Sequence, residues 1–259
     1  MRVILVYIFP RDLLQILLWA SLLSLNACTS LPNHKQWKSG TVDALKDPYT
    51  WMPLGAAALV ATSGKDKKIS QKAIQETPLF GSNNASDKAS DDLRDVTSLI
   101  KNVSALMVKS ECDIYTHPAQ RMLLQQSIVM GSDGIAGEIK DLTKRQRPIW
   151  DGYTFPSQHA NKAFSYHAIT RENLRCSQYV QYNNLLLWTS GIAATGTAYA
   201  RVEAGAHYPV DVLAGAGFGN FITMTVNNAL RAKKNNDEQI KIILLPVEDG
   251  LAIVFKKSF

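Results

Sequence analysis

Charge is scarce in this 259-residue chain, at 19%, and so are cysteine, with three residues, proline, with ten, and glycine, with fifteen. That composition fits neither a disordered nor a fibrous class, and 46% apolar content is enough for one good-sized core with appendages. No basic run is interleaved with aromatics and the formal charge is only +6, which argues against nucleic acid as a partner. No internal repeat is present. Past the first 28 residues, no stretch reaches twenty uninterrupted apolar residues, so the body of the chain is expected to be soluble rather than polytopic.

The start of the chain reads differently. Arg2 and Arg11 precede an apolar run from Leu13 to Leu25, and Leu25-Asn26-Ala27-Cys28 follows at once. This resembles a bacterial lipoprotein signal, which implies removal of residues 1–27, lipidation at Cys28 and a membrane partner reached through that N-terminal anchor. Thr29 after the cysteine resembles the pattern of lipoproteins sent to the periplasmic face of the outer membrane. An uncleaved anchor is the alternative; the charged Arg11 and Asp12 break the apolar stretch and count against it. Either way the domain is exported, and without residues 1–27 its charge is about +5. Cys112 and Cys176 remain, either paired as a disulfide or buried separately as small apolar side chains.

Residues 28–50 are polar and lysine-rich and read as a tether. A helical domain is expected over 51–235, beginning with a short helix from Trp51 to Thr62, followed by mostly loop to Ser90. Ser90 then offers an N-cap, with Leu93, Val96, Ile100, Val103 and Met107 at helical spacing on a buried face. A second long helix is expected from Pro118 to Leu142, with a break near Gly131 to Gly137. Further helices start at Ser157, span Leu185 to Tyr199, and run from Pro209 to Val226, where Gly215, Gly217 and Gly219 permit close packing. In the tail, 236–259, Ile240 to Leu245 and Leu251 to Phe255 flank Glu248-Asp249-Gly250, the signal of a β-hairpin. The fold class is therefore all-α with a short C-terminal hairpin.

Three clusters carry chemistry: Lys140 to Pro148, Pro156 to His159, and Arg201 to Asp211. Lys140, Arg147 and Arg201 fall near helix ends, and a tetrahedral anion needs several such donors converging on its oxygens. Lys144 and Arg145 read as solvated surface charge, with assistance to binding as the alternative for either. Ser157 stands at a helix start, where free N–H groups face outward and suit a phosphate. His207 and Asp211, four residues apart, place a carboxylate where it holds one ring nitrogen and leaves the other as nucleophile, with His159 free as general acid. His34, His117 and His167 read as structural. A Ser157–His207–Asp211 triad is disfavoured, because the G-x-S-x-G elbow is absent and three cations would have no role.

The order Lys140, Arg147-Pro148, Pro156-Ser157-Gln158-His159, then Arg201, His207 and Asp211 closely resembles the type 2 phosphatidic acid phosphatase superfamily, over roughly residues 90–230. That superfamily also holds bacterial acid phosphatases and vanadium haloperoxidases. The resemblance implies an all-helical core and hydrolysis of phosphate esters, on small molecules or lipid head groups, through a phosphohistidine and without a metal or other cofactor. It also implies roles. Lys140, Arg147, Arg201, Ser157 and the Gln158 amide bind phosphate, His207 attacks, Asp211 orients it, and His159 protonates the leaving group. Two positions depart from the pattern: the family usually has Gly where Gln158 stands and Ser where Ala200 stands. A vanadium haloperoxidase and a non-catalytic binding lipoprotein are the rival readings.

Overall fold

Small residues, rather than large apolar ones, set the helix contacts of this protein. The computed structural model describes residues 32–109, 118–234, 240–247 and 250–257. The expected signal peptide, Cys28, Cys112, His117 and the hairpin turn at Glu248-Asp249 lie outside them.

Helix α1, His34–Lys46, starts at a capping box in which Asn33 and Gln36 satisfy each other's backbone N–H. It lies on the last helix through Gln36, Gly40 and Ala44, one residue per turn. Residues 34–46 are thus packed helix and not tether. The missed signal is physical, since that contact stripe contains no large apolar residue. Helix α2, Pro48–Thr62, is capped by the Asp47 carboxylate, with proline at its first position. Helix α3, Asp66–Glu76, and the start of α4, Asn83–Leu106, occupy the stretch expected as loop. The N-cap of α4 is Ser82, and Ser90 is a buried helical residue.

The expected face of α4 is also only half right. Ile100 and Met107 are buried, whereas Val96 and Val103 face outward and Ser86, Ser90, Thr97 and Ser104 face in. Helix α5, Pro118–Thr143, runs through Gly131 to Gly137 without a break. Helix α6, Gln158–Arg175, is the axis of the bundle: α4, α5, α7 (Asn183–Glu203) and α8 (Pro209–Lys234) all pack on it. A helix surrounded in this way is buried on every side, and its amide and hydroxyl groups are paired except Asn161 Nδ2, which finds no partner among the described residues. Gln125 and Ser104 bond Asn173, and Ser132 bonds Asn161. Strands β1, Ile240–Val247, and β2, Gly250–Lys257, pair antiparallel from Ile240↔Lys257 to Val247↔Gly250, as the tail predicts. Among the described residues no helix is long and apolar enough to cross a membrane.

What positions the site is the crossing of α6 and α8. A Cβ at Gly215 would collide with the Ser157 carbonyl oxygen, and one at Gly219 with the Asn161 carbonyl. Backbone meets backbone here, which only glycine allows. The contact brings the start of α6 against the first turn of α8, where the Ser157 N–H donates to the Asp211 carbonyl at 3.0 Å. Gly215→Ala is expected to lower stability by about 1–3 kcal/mol, the cost of overpacking. Gly131→Ala, which meets nothing within 4 Å, should leave it unchanged or slightly raised. Thermal unfolding followed by circular dichroism checks both.

Candidate active site

His207 is the floor of the site, 1% exposed. It follows a turn at Gly205, whose φ is +72°, and both the Ala206 and His207 N–H groups donate to the Arg201 carbonyl at 3.1 Å. The end of α7 therefore fixes the histidine and the arginine as one unit. His207 Nδ1 lies 2.9 Å from the Thr154 hydroxyl, which in turn lies 2.7 Å from Asp211 Oδ2. A hydroxyl has one proton, and the carboxylate is the stronger acceptor. Thr154 thus donates to Asp211 and accepts from His207 Nδ1–H, which leaves the Nε2 lone pair free.

Asp211 does not touch His207 itself, although direct contact was the expectation. Its oxygens are taken: Oδ2 also accepts from the Tyr208 N–H at 2.8 Å, and Oδ1 accepts from Arg145 at 2.6 Å. Burial pushes the Asp211 carboxyl up, and the bonds from Thr154, Arg145 and Tyr208 oppose that. Arg145 is not the solvated charge its surroundings in the sequence imply. It bridges Asp211 to Asp66 at the start of α3, and its guanidinium lies 4.3 Å from the Tyr208 ring centroid. Asp66 also accepts from the Val210 N–H at 2.9 Å. The loop that holds both Arg145 and Thr154 is closed on itself, the Thr154 N–H donating to the Arg145 carbonyl at 2.8 Å.

The start of α6 forms one wall. Ser157 is its buried N-cap and accepts from the Ala160 N–H at 3.4 Å. The amides of Gln158 and His159 at the helix start have no intrahelical acceptor and point out of the helix end. The Gln158 side chain accepts from Lys140 Nζ at 2.9 Å and donates to the Asp133 carbonyl at 3.3 Å. It therefore occupies the lysine in the structure. His159 Nε2 is 3.0 Å from Asp91 on α4.

The cations complete the ring. Arg201 is buried and pairs with Asp87 and Ser90 of α4, while its Nε finds no partner among the described residues. Arg147 is held by one bond from Nε to the Tyr153 carbonyl at 3.2 Å. Lys140 is half-buried in the last turn of α5 and is lowered to about 8, first by burial and then by Arg147. His207 is pushed well below its ordinary value by burial, then by Arg201, Lys140, Arg147 and His159. His159 falls to about 4 through burial and Arg201, against the pull of Asp91. An imidazole felt by four neighbouring groups of one sign shows that the three separate motifs converge. With the outward amides of α6 and the unpartnered Arg201 Nε, this pocket is shaped for an anion that bears several oxygens.

The residues singled out in the sequence, Lys140, Arg147, Ser157, Gln158, His159, Arg201, His207 and Asp211, all line this one place. Thr154, Arg145, Asp66, Asp87 and Asp91 complete it and were not identified. Only Thr154 carried a hint, as a hydroxyl two residues before Pro156; the carboxylates look like ordinary surface charge. Ala200 is fully buried. His167 is structural, its Nδ1 2.6 Å from Ser190 Oγ. Cys176 is disulfide-bonded.

The PAP2 superfamily model matches residues 123–234. Among solved structures, the fold is similar to the crystal structure of the first transmembrane PAP2-type phosphatidylglycerolphosphate phosphatase, from Bacillus subtilis. The TM-score is 0.54 and the identity 17%, over 76% of this chain and 97% of that one. No curated protein matches the chain. The matched segment contains every phosphate-cradle residue named from the sequence, in the same order, and over that segment the chain is similar to the PAP2 superfamily.

Proposed function

We propose that this protein hydrolyses phosphate monoesters, lipid phosphates included, through a phosphohistidine on His207 and without a metal ion. The observation that carries the proposal is the relay from His207 Nδ1 through Thr154 to Asp211, at 2.9 and 2.7 Å. It fixes the tautomer whose free Nε2 points away from the relay, and the surrounding cations keep that nitrogen unprotonated. The PAP2 superfamily match over residues 123–234 and the likeness in fold to a PAP2-type phosphatase support a phosphatase of this type. On this reading Cys28 carries the lipid that holds the domain at the periplasmic face of the outer membrane, where lipid phosphates are within reach.

The steps follow from the geometry. Arg201, Arg147, Lys140, the α6 amides and Ser157 hold the phosphate oxygens. The Nε2 lone pair attacks phosphorus, the bond to the ester oxygen breaks, and that oxygen takes a proton from His159. The dianion brings negative charge beside His159 and so draws a proton onto it. Water then attacks the phosphohistidine, returns a proton to His159 and releases inorganic phosphate and neutral His207. Gln158 must give up Lys140 as the phosphate arrives, so its side chain tunes affinity and not the reaction itself.

His207→Ala is expected to lower p-nitrophenyl phosphate turnover by roughly 10⁴-fold or more, with EDTA leaving the wild type unaffected; activity retained in the mutant would sink the mechanism. Thr154→Val should cost about 10–100-fold in kcat, the worth of one hydrogen bond to a charged group, and Thr154→Ser should restore most of it.

The pH profile follows from two groups. His159 gains its proton only as pH falls toward about 4, and Lys140 loses its charge as pH rises through about 8. Hence kcat/KM should climb as pH drops below neutrality and break downward again near 8. Lys140→Arg should abolish the break near 8 and keep the acid rise, as a steady-state pH series would show.

A further inference from the structure

Helices α4 and α7 are built inside out. Their inward faces carry Ser86, Ser90, Thr97, Ser104 and Ala105 on one helix and Ser190, Ala193, Ala194, Thr197 and Ala200 on the other. Of their large apolar side chains Ile100 is buried and Leu93 packs against Gly196, but others face away from the protein: Leu99 is 61% exposed, Leu185 65%, Trp188 70% and Ile192 67%. A helix stabilised by water places these groups the other way round. Small and hydroxylated residues inside with large apolar ones outside is the arrangement expected where the surrounding medium is hydrocarbon.

The two stripes form one surface. Asp87 meets Arg201 at one end of the pair, and further along Leu93 packs against Gly196, so the helices run antiparallel. Both rest on α6, and the residues turned away from α6 therefore share a side. In that register Val96, Leu99 and Val103 fall level with Ile192, Trp188 and Leu185. Every exposed residue of α4 from 96 to 106 is apolar, and α7 carries no charged residue from 183 to 200. The band ends at the exposed Asp92 and Asp95 on one side and Lys109 on the other.

We propose that this α4–α7 face seats the domain on a lipid bilayer and brings the catalytic mouth to head-group level. The inference rests on the phosphatase reading above. Two observations select a bilayer. First, from Val96 to Leu106 the band measures about 15 Å along the helix, half a hydrocarbon core, so the face lies on the membrane and not through it, in keeping with the lack of a spanning helix among the described residues. Cys28, which carries the lipid on the reading above, precedes Pro32 by four residues, at most about 15 Å of chain, which keeps the domain at the membrane surface. Second, Asp91, which holds His159, stands one to two turns from Val96 on the same helix, so the band adjoins the mouth. A lipid with its tails beneath Val96 and Ile192 has its phosphate beside His159.

The test uses the full chain reconstituted in phosphatidylethanolamine–phosphatidylglycerol vesicles with brominated acyl chains, Trp188 emission being taken as the difference between wild type and Trp188→Phe. Acyl bromine should quench Trp188. Leu99→Glu combined with Ile192→Glu should remove the quenching and lower phosphatidic acid turnover in the same vesicles about ten-fold, with p-nitrophenyl phosphate turnover unchanged. Trp188 equally bright in brominated and plain vesicles overturns the proposal, as does quenching that survives the charged pair. So does a concentration-dependent dimer that the pair dissolves while Trp188 stays unquenched, since the face would then belong to a second copy. Quenching as expected without p-nitrophenyl phosphate turnover in any form supports the docking face and counts against the hydrolase reading alone.

Discussion

Like charges crowded round one buried imidazole are the constraint on which this structure depends. Lys140, Arg147, Arg201 and His159 all act on His207, which is removed from water. Such a cluster is costly unless anions stand close by. The chain supplies them itself: Asp87 against Arg201, Asp91 against His159, and Asp66 with Asp211 on either side of Arg145. Substrate binding thus exchanges one set of anionic contacts for another. Arg147, with only a backbone carbonyl bond from Nε, is the cation whose charge is least committed beforehand.

On the proposed mechanism, the same constraint explains how His207 is prepared as nucleophile. A carboxylate pressed directly on His207 would favour the imidazolium and oppose the surrounding cations. Interposing the Thr154 hydroxyl keeps the carboxylate one hydrogen bond away, so it orients the ring while Arg145 shares its charge. Orientation and basicity are thereby set by different residues.

The cradle was legible because its motifs are local. Lys140 to Arg147, Ser157 to His159 and Arg201 to Asp211 each keep fixed spacing within one loop or turn, and the residue types have few other uses in combination. Its supports were not legible. Asp66, Asp87 and Asp91 meet their partners only through the packing of α3 and α4, elements that reveal themselves poorly, because α1, α3 and the inward side of α4 make their contacts with serine, threonine, glycine and alanine. A search for large apolar stripes finds the wrong face of α4 and passes over α1 entirely. The long helices from Pro118, Ser157 and Pro209 were readable from their start signals, which do not depend on what the helix packs against.

Every cradle residue lies within 123–234, but the acidic groups Asp66, Asp87 and Asp91 lie before it. The segment matched by the family model and the helices before it therefore form one electrostatic unit. A fragment cut at the borders of the family match would keep the whole catalytic signature and lose the counter-ions that make it bearable. A chimera that exchanged the cradle or the helices α3 and α4 alone would separate these cations from the carboxylates that face them.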